Sequence, residues 1–273
     1  MKIIASLVLY KHRFEDISKT LNSLINEDSI NTIIIVDNGN HCDWLKDFSH
    51  EKIDKIYLDK NFGFGSGHNS VFKRYKKIAD YFLICNPDIY FEKGEIDKLL
   101  EFSEANTVDL CIPKILYPDG TLQHSCKLLP TPFQLFMRRF FIGINKKSNS
   151  YYELHDADYN KAFFAPSISG CCMFLSRKAI KFTQGFDPRF FLYLEDIDLS
   201  RRICQADLSV TYCPYSIVFH EAQRKSYSNY KFLFYHLVSA IKYFNKWGWF
   251  IDGCRTLLNQ KCLDLLPRKN KNN

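Results

Sequence analysis

Three carboxylates, Glu195, Asp196 and Asp198, follow directly on an aromatic run in the stretch FFLYLEDIDLSRR, residues 190–202. Acidic side chains complement the exposed N–H groups and positive dipole end of a starting helix. Leu199, Ile203 and Ala206 fall at i, i+4 and i+7, which predicts a helix opening near Glu195. Asp198 precedes Arg202 by four residues, the spacing of a helical ion pair. The aromatic neighbours raise the cost of carrying charge, and this keeps open a role for these acids beyond starting a helix.

Other chemistry-bearing residues stand alone. In NPDIYF, Asp88 follows a strand-like run; a carboxylate there can hold Mg²⁺ or Mn²⁺ together with phosphate oxygens. The same letters also spell a proline-led turn capped by aspartate. His220, in IVFHEA, is either a hydrogen-bonded histidine at a strand end or a ligand. NFGFGSGHN carries Gly63, Gly65 and Gly67 at a spacing that matches neither the dinucleotide fingerprint nor a P-loop. It reads as a tight loop through which backbone approaches a ligand.

The elements that must position these residues alternate. Ile3–Tyr10, Thr32–Asp37, Lys55–Leu58 and Tyr81–Cys85 read as strands. Phe14, Ile17, Leu21 and Leu24 mark one helix between them, and Val71, Phe72, Tyr75 and Ile78 another. Such alternation predicts a parallel, doubly wound sheet with ligands beyond the carboxyl ends of its strands. Tyr10-Lys11, Asp37–Asn40, Asn61–Asn69 and Asn86–Asp88 all lie at such ends and converge on one crevice. Further on, Tyr117–Thr121 is a turn, Ser167–Ser176 reads as one apolar strand, and two amphipathic helices follow Tyr230. Residues 131–165 are aromatic and basic and carry no clear pattern.

At 273 residues and 46% hydrophobic, the chain can bury a large core. Its net charge of +7 points to an anionic partner, with Lys261, Arg268, Lys269 and Lys271 concentrating charge in the tail. None of its ten cysteines forms a CxxC pair, and Cys85, Cys111 and Cys213 sit in apolar runs as small buried hydrophobes. The apolar run at the N-terminus is too short for a signal peptide or a membrane span. A reduced, cytosolic setting is expected.

In order along the chain, Tyr10, VDNG, NFGFGSGHN, NPD, SGCCMFLSRKA, GFDPRFFLYLEDIDLSRR and a late histidine resemble the family 2 glycosyltransferases, nearest the bacterial rhamnosyltransferase-like branch. The resemblance runs from Ile3 to about His220. It implies a GT-A fold, a mostly parallel nucleotide-binding sheet merged with an acceptor-binding half, in residues 1–228. Residues 229–273 would form a helical extension. It also implies that Asp37 reads the pyrimidine base beside Tyr10, with Asn61, Gly65 and Asn69 lining the nucleotide-sugar pocket. Asn86 and Asp88 take the DxD position, with asparagine replacing the first acid. Asp88 and His220 would then ligate Mn²⁺ or Mg²⁺, while Arg224 and Lys225 neutralise the diphosphate. Asp196 would be the general base of an inverting transfer, and Glu195 would orient the acceptor or the helix. The expected donor is dTDP- or UDP-linked, with dTDP-L-rhamnose foremost. The expected acceptor is a lipid-diphosphate-linked saccharide of surface polysaccharide or O-antigen assembly. The rivals are a sugar-phosphate nucleotidyltransferase, which would want a glycine-rich basic loop after the first strand, and a non-catalytic nucleotide-binding module. A nucleic-acid partner is not expected. Finally, Phe234, Leu237, Ile241 and Phe244 fall at helical spacing among Lys231, Lys242 and Lys246, the pattern either of a helix packed on the catalytic domain or of one lying at the cytoplasmic face of an anionic inner membrane.

Overall fold

The structure, a computed structural model, describes residues 1–140, 146–222 and 230–269. Its first half follows the alternation in the sequence: β1 (Ile3–Leu9), α1 (Phe14–Asn26), β2 (Ile30–Asn38), α2 (Trp44–Asp47), β3 (Ile53–Leu58), α3 (Phe64–Tyr75) and β4 (Tyr81–Cys85). β1 pairs in parallel with both β2 and β4, and β2 with β3. Helices cover both faces of these strands, so β1 and β4 are apolar almost throughout rather than alternating. α1 buries Ile17, Leu21 and Leu24 at the expected spacing. α3 stops at Tyr75, so Ile78 lies beyond it and is exposed; the periodicity overran the helix by one turn.

The chain continues through β5 (Ile89–Tyr90), α4 (Glu95–Asn106), β6 (Leu110–Leu116), β7 (Cys126–Lys127), α5 (Pro132–Phe140), α6 (Lys146–Tyr152) and β8 (Phe163–Phe164). It ends with β9 (Ser167–Ile168), β10 (Cys172–Ser176), α7 (Arg177–Thr183), α8 (Glu195–Gln205), β11 (Val210–His220), α9 (Tyr230–Trp247) and α10 (Gly253–Leu265). The main sheet runs β3-β2-β1-β4-β10-β6-β11-β5, with β8 against β11. β10 is antiparallel to β4 and β6, whereas β6 and β11 are parallel. The parallel half thus merges with a mixed half across β10. All ten cysteines are free, and Cys85, Cys111 and Cys213 are buried in β4, β6 and β11.

Three further expectations change. The glycine stretch read as a tight loop is helical from Phe64 onward, so that Gly65, Gly67 and Asn69 lie in α3 and, of its glycines, only Gly63 stands before it. Residues 167–176 are not one strand, because the chain leaves the small β7–β9 sheet at Ser169 and enters the main sheet at Cys172. The break frees the backbone of Gly170 and Cys171 for other partners. The helical stripe after Tyr230 is also divided. Phe234, Leu237 and Ile241 are exposed, but Phe244 is buried with Leu135, Phe190, Leu194 and Tyr243. The last two helices are tied to the body: Arg201 makes a buried bidentate pair with Asp252 at 2.6 Å, Asn259 exchanges hydrogen bonds with the Leu129 backbone, and Cys262 joins the main core.

Candidate active site

After β4 the chain turns through Asn86-Pro87-Asp88 into β5, which pairs antiparallel with the end of β11 so that Ile89 faces His220. α1 holds the turn through Thr20, whose hydroxyl donates to the Pro87 carbonyl at 2.7 Å. The Glu221 amide donates to the Asp88 carbonyl at 2.9 Å. Strand register therefore brings Asp88 to the His220 ring, with Oδ1 3.3 Å from Nε2. That contact is near enough for an ion pair but not aligned as a hydrogen bond, and the buried Asp88 Oδ1 has no hydrogen-bond partner. The other ring nitrogen, Nδ1, lies 3.0 Å from Gln123 Oε1. Burial disfavours a charged imidazole, but the Cys171 sulfur and the Asp88 carboxylate outweigh it and push His220 up to about 10.

The pair fits a divalent cation as two protein donors, one of them a buried carboxylate oxygen without a hydrogen-bond partner. Among the described residues no third histidine, cysteine or acid completes a cluster, so further ligands would be oxygens of a bound diphosphate and water.

The second centre begins with backbone strain. Tyr193 and Leu194 are consecutive left-handed residues, at φ 70° and 65°, an uncommon conformation for bulky side chains. They are held by burial of Leu194 and by the Ser239 hydroxyl, which donates to the Leu192 carbonyl at 2.8 Å. The Phe64 amide, at the start of α3, donates to the Phe191 carbonyl at 3.0 Å. Gly63 permits this approach, since a Cβ there would stand 2.2 Å from the Phe191 oxygen. The chain then enters α8 with Glu195 buried and Asp196 half-buried at its first turn.

Asp196 accepts the Gly170 amide at 2.9 Å and the Ile197 amide at 2.8 Å. Glu195 leaves Oε2 without a partner. Neither acid has an ion pair among the described residues. Burial, and then the neighbouring Asp196, push Glu195 up to about 8. Burial raises Asp196 as well, against the opposing pull of the Gly170 and Ile197 amides and of Lys127. Two acids raised by burial and by each other at one helix start are the arrangement in which proton-transfer groups are found. The two centres are neighbours through one dipeptide: Gly170 donates to Asp196, and the Cys171 carbonyl accepts the Asn86 amide at 2.9 Å.

Asp198 differs. Its carboxylate takes Arg202 at 2.7 Å, as the spacing predicted, and also Lys246 at 2.6 Å and the Trp247 indole at 2.8 Å.

On the opposite flank, Tyr10 is exposed past β1 with its ring edge-on to His41, centroids 5.6 Å apart. Asp37 is buried at the end of β2 and accepts the His41 and Cys42 amides at 3.0 and 2.8 Å. The Asn38 amide nitrogen donates to Asn61 Oδ1 and to the Gly63 carbonyl, both at 3.0 Å, so Asn38 and Asn61 brace the glycine loop from within. Gly65 lies against Phe186, where a Cβ would come within 2.6 Å of the Phe186 Cβ. Both ends of the Asn69 amide are engaged by the Phe186 backbone at 2.8 Å. What the structure shows of Gly65 and Asn69 is therefore packing of the 185–187 turn onto α3. Asn38, Gly170 and Gln123 were not singled out by sequence reasoning; only Asn38 and Gly170 lay in stretches that it quoted. Arg224 and Lys225 lie outside the described residues.

Residues 7–182 match the sequence model of the family described as glycosyl transferase family 2. The chain is 26% identical over 208 residues to the N-acetylglucosaminyl-diphospho-decaprenol L-rhamnosyltransferase of Mycobacterium tuberculosis, covering 69% of this chain and 66% of that protein. It thus spans slightly less than two thirds of that relative's length. It is 25% identical over 248 residues to rhamnosyltransferase WbbL of Escherichia coli K12, covering 87% of this chain and 91% of that one. The fold matches the mannosyltransferase PcManGT of Pyrobaculum calidifontis, solved with GDP-Man and Mn²⁺, at a TM-score of 0.60 and 12% identity over 88% of this chain and 64% of that one. At that identity the likeness is one of fold, and the fold is GT-A.

Proposed function

Because the chain belongs to glycosyl transferase family 2, we propose that this glycosyltransferase is inverting and metal-dependent and moves L-rhamnose from dTDP-L-rhamnose to a lipid-diphosphate-linked saccharide in surface polysaccharide or O-antigen assembly. The observation that carries the reading is the pair of buried Glu195 and half-buried Asp196, free of ion pairs among the described residues and joined by Gly170-Cys171 to the Asp88–His220 pair. Asp196 takes the proton of the acceptor hydroxyl as its oxygen attacks the anomeric carbon and the bond to the diphosphate oxygen breaks. Glu195, neutral at its raised pKa, orients the acceptor. Asp88 and His220 would hold the cation, which when bound offsets charge on the departing diphosphate. The imidazole nitrogen in that set favours Mn²⁺ over Mg²⁺, which prefers oxygen ligands. The rhamnose rests on the activity of the two relatives, and the lipid-linked acceptor on that of the mycobacterial one. Base reading by Asp37 and Tyr10 rests on their place at the ends of β2 and β1.

The test is a panel of nucleotide sugars offered with Mn²⁺ and a synthetic lipid-diphosphate saccharide. Transfer from dTDP-L-rhamnose with inversion is expected; preference for another donor, or turnover undiminished by chelator, overturns the corresponding part.

We place the enzyme at the cytoplasmic face of the inner membrane. No helix among the described residues is long and apolar enough to cross a membrane. Instead Phe133 and Phe136 of α5 and Leu237 and Ile241 of α9, with Trp249 and Phe250, line an open apolar groove of about 400 Å³. Its wall includes Leu135 and Phe244, which pack on Leu194 beside the catalytic acids. Phe250 and Ile251 are 87% and 93% exposed at the turn after α9. Lys246 is committed inward to Asp187 and Asp198, so this reading relies on the apolar tip rather than on that lysine. Phe250→Glu/Ile251→Glu should abolish sedimentation with vesicles of anionic lipid while leaving donor hydrolysis intact; unchanged sedimentation would assign the tip no membrane role.

A further inference from the structure

His220 is gripped at both ring nitrogens: Nε2 faces Asp88 Oδ1 at 3.3 Å, and Nδ1 lies 3.0 Å from Gln123 Oε1. Gln123 comes from 97 residues earlier, on the segment that doubles back along β6 after the Tyr117–Thr121 turn. Its amide donates to the Ile115 carbonyl at 2.9 Å, and Leu116 and Leu122 bridge antiparallel. β6 in turn runs parallel to β11 with Leu116 opposite Phe219. Sheet register thus delivers the Gln123 side chain to the residue that follows Phe219. The adjacent His124 stacks on His155 at 3.7 Å and meets Tyr159 edge-on at 5.1 Å, which fixes the segment carrying Gln123.

We propose that Gln123 is a positioning residue of the metal site: its amide oxygen accepts Nδ1–H of His220 and so turns Nε2 toward Asp88 and the cation. The inference rests on the reading of Asp88 and His220 as ligands. An amide oxygen has no proton to give, so the imidazole nitrogen facing it must be the donor, and the opposite nitrogen supplies the lone pair to a metal. Partners of this kind fix ring orientation, and their loss costs about 10–100-fold in metal affinity. Gln123 does not touch the substrate in this reading; it acts through His220.

The experiment compares full-length Gln123→Met, which keeps length and loses the acceptor, Gln123→Glu, which keeps an acceptor, and His220→Ala. Mn²⁺ binding in the presence of dTDP is followed by electron paramagnetic resonance, with spin-echo modulation reporting a coordinated imidazole nitrogen. The downfield Nδ1–H resonance of His220 is followed in metal-free protein. Gln123→Met should weaken Mn²⁺ about 10–100-fold, diminish the imidazole modulation and speed exchange of the Nδ1–H proton, and Gln123→Glu should restore all three. Loss of Mn²⁺ affinity in His220→Ala but not in Gln123→Met overturns the Gln123 assignment alone. Unchanged affinity in His220→Ala overturns the ligand reading and the inference with it.

Discussion

Asp196 and Asp198 stand two residues apart on one helix in opposite electrostatic settings. Asp198 is saturated by Arg202, Lys246 and the Trp247 indole. Asp196 receives two backbone amides and no side-chain cation within ion-pair distance among the described residues. The helical rotation of about 100° per residue explains the split: two steps turn the side chains to nearly opposite faces. One face meets the broken strand at Gly170, the other meets α9. On the α9 side Lys246 bridges Asp187 and Asp198, and Arg201, over the Trp247 ring, clamps Asp252. Ion pairing and an unpaired, half-buried carboxylate thus fall to alternate acids of the same short motif.

The largest effect should come from the unpaired acid. Asp196→Asn is expected to lower the transfer rate about 10²–10⁴-fold while nucleoside diphosphate affinity stays near that of the parent. Its stability cost should be about 1–3 kcal/mol, because no ion pair is broken but the amide keeps only one of the two acceptors that the Gly170 and Ile197 N–H groups use. Near-normal turnover would end the distinction drawn between the two faces. Asp198→Asn should do the reverse. Leaving Arg202 and Lys246 without their shared partner should cost about 3–5 kcal/mol in chemical denaturation, with residual transfer at low temperature well above that of Asp196→Asn.

A smaller effect sharpens the comparison through pH. In the unfolded chain a glutamate ionises near pH 4.3, whereas folded Glu195 keeps its proton to about 8. Between these values the folded state binds the extra proton, so raising the pH favours unfolding by on the order of 1 kcal/mol per unit. This stabilisation is fully present below pH 4.3 and is lost as pH rises through about 8. Glu195→Gln should therefore flatten the fall in stability from about pH 5 to 8, measured by denaturation at several pH values. Parallel curves for parent and variant would show that Glu195 is already ionised.

Elements whose signals are local could be read along the chain. Apolar runs and helical spacing fixed β1, β2, α1 and β4 closely, the Asp198–Arg202 pair followed from a four-residue offset, and the ordered motifs pointed to the family. Tertiary structure alone decided which residues at those strand ends meet. Asp88 reaches His220 only because β5 and β11 pair in one register, and Gln123 reaches it only because residues 115–123 double back along β6. A run such as SISGCCMFLS carries apolar character but no sign of where it must change sheets, so the break that presents Gly170 to Asp196 was invisible. The same holds for Phe244 and Lys246: their spacing marks a helix face, but whether that face meets solvent or the acids of α8 depends on partners about fifty residues away. Periodicity is a property of neighbours along the chain; charge pairing and burial belong to neighbours in space, which folding alone brings together.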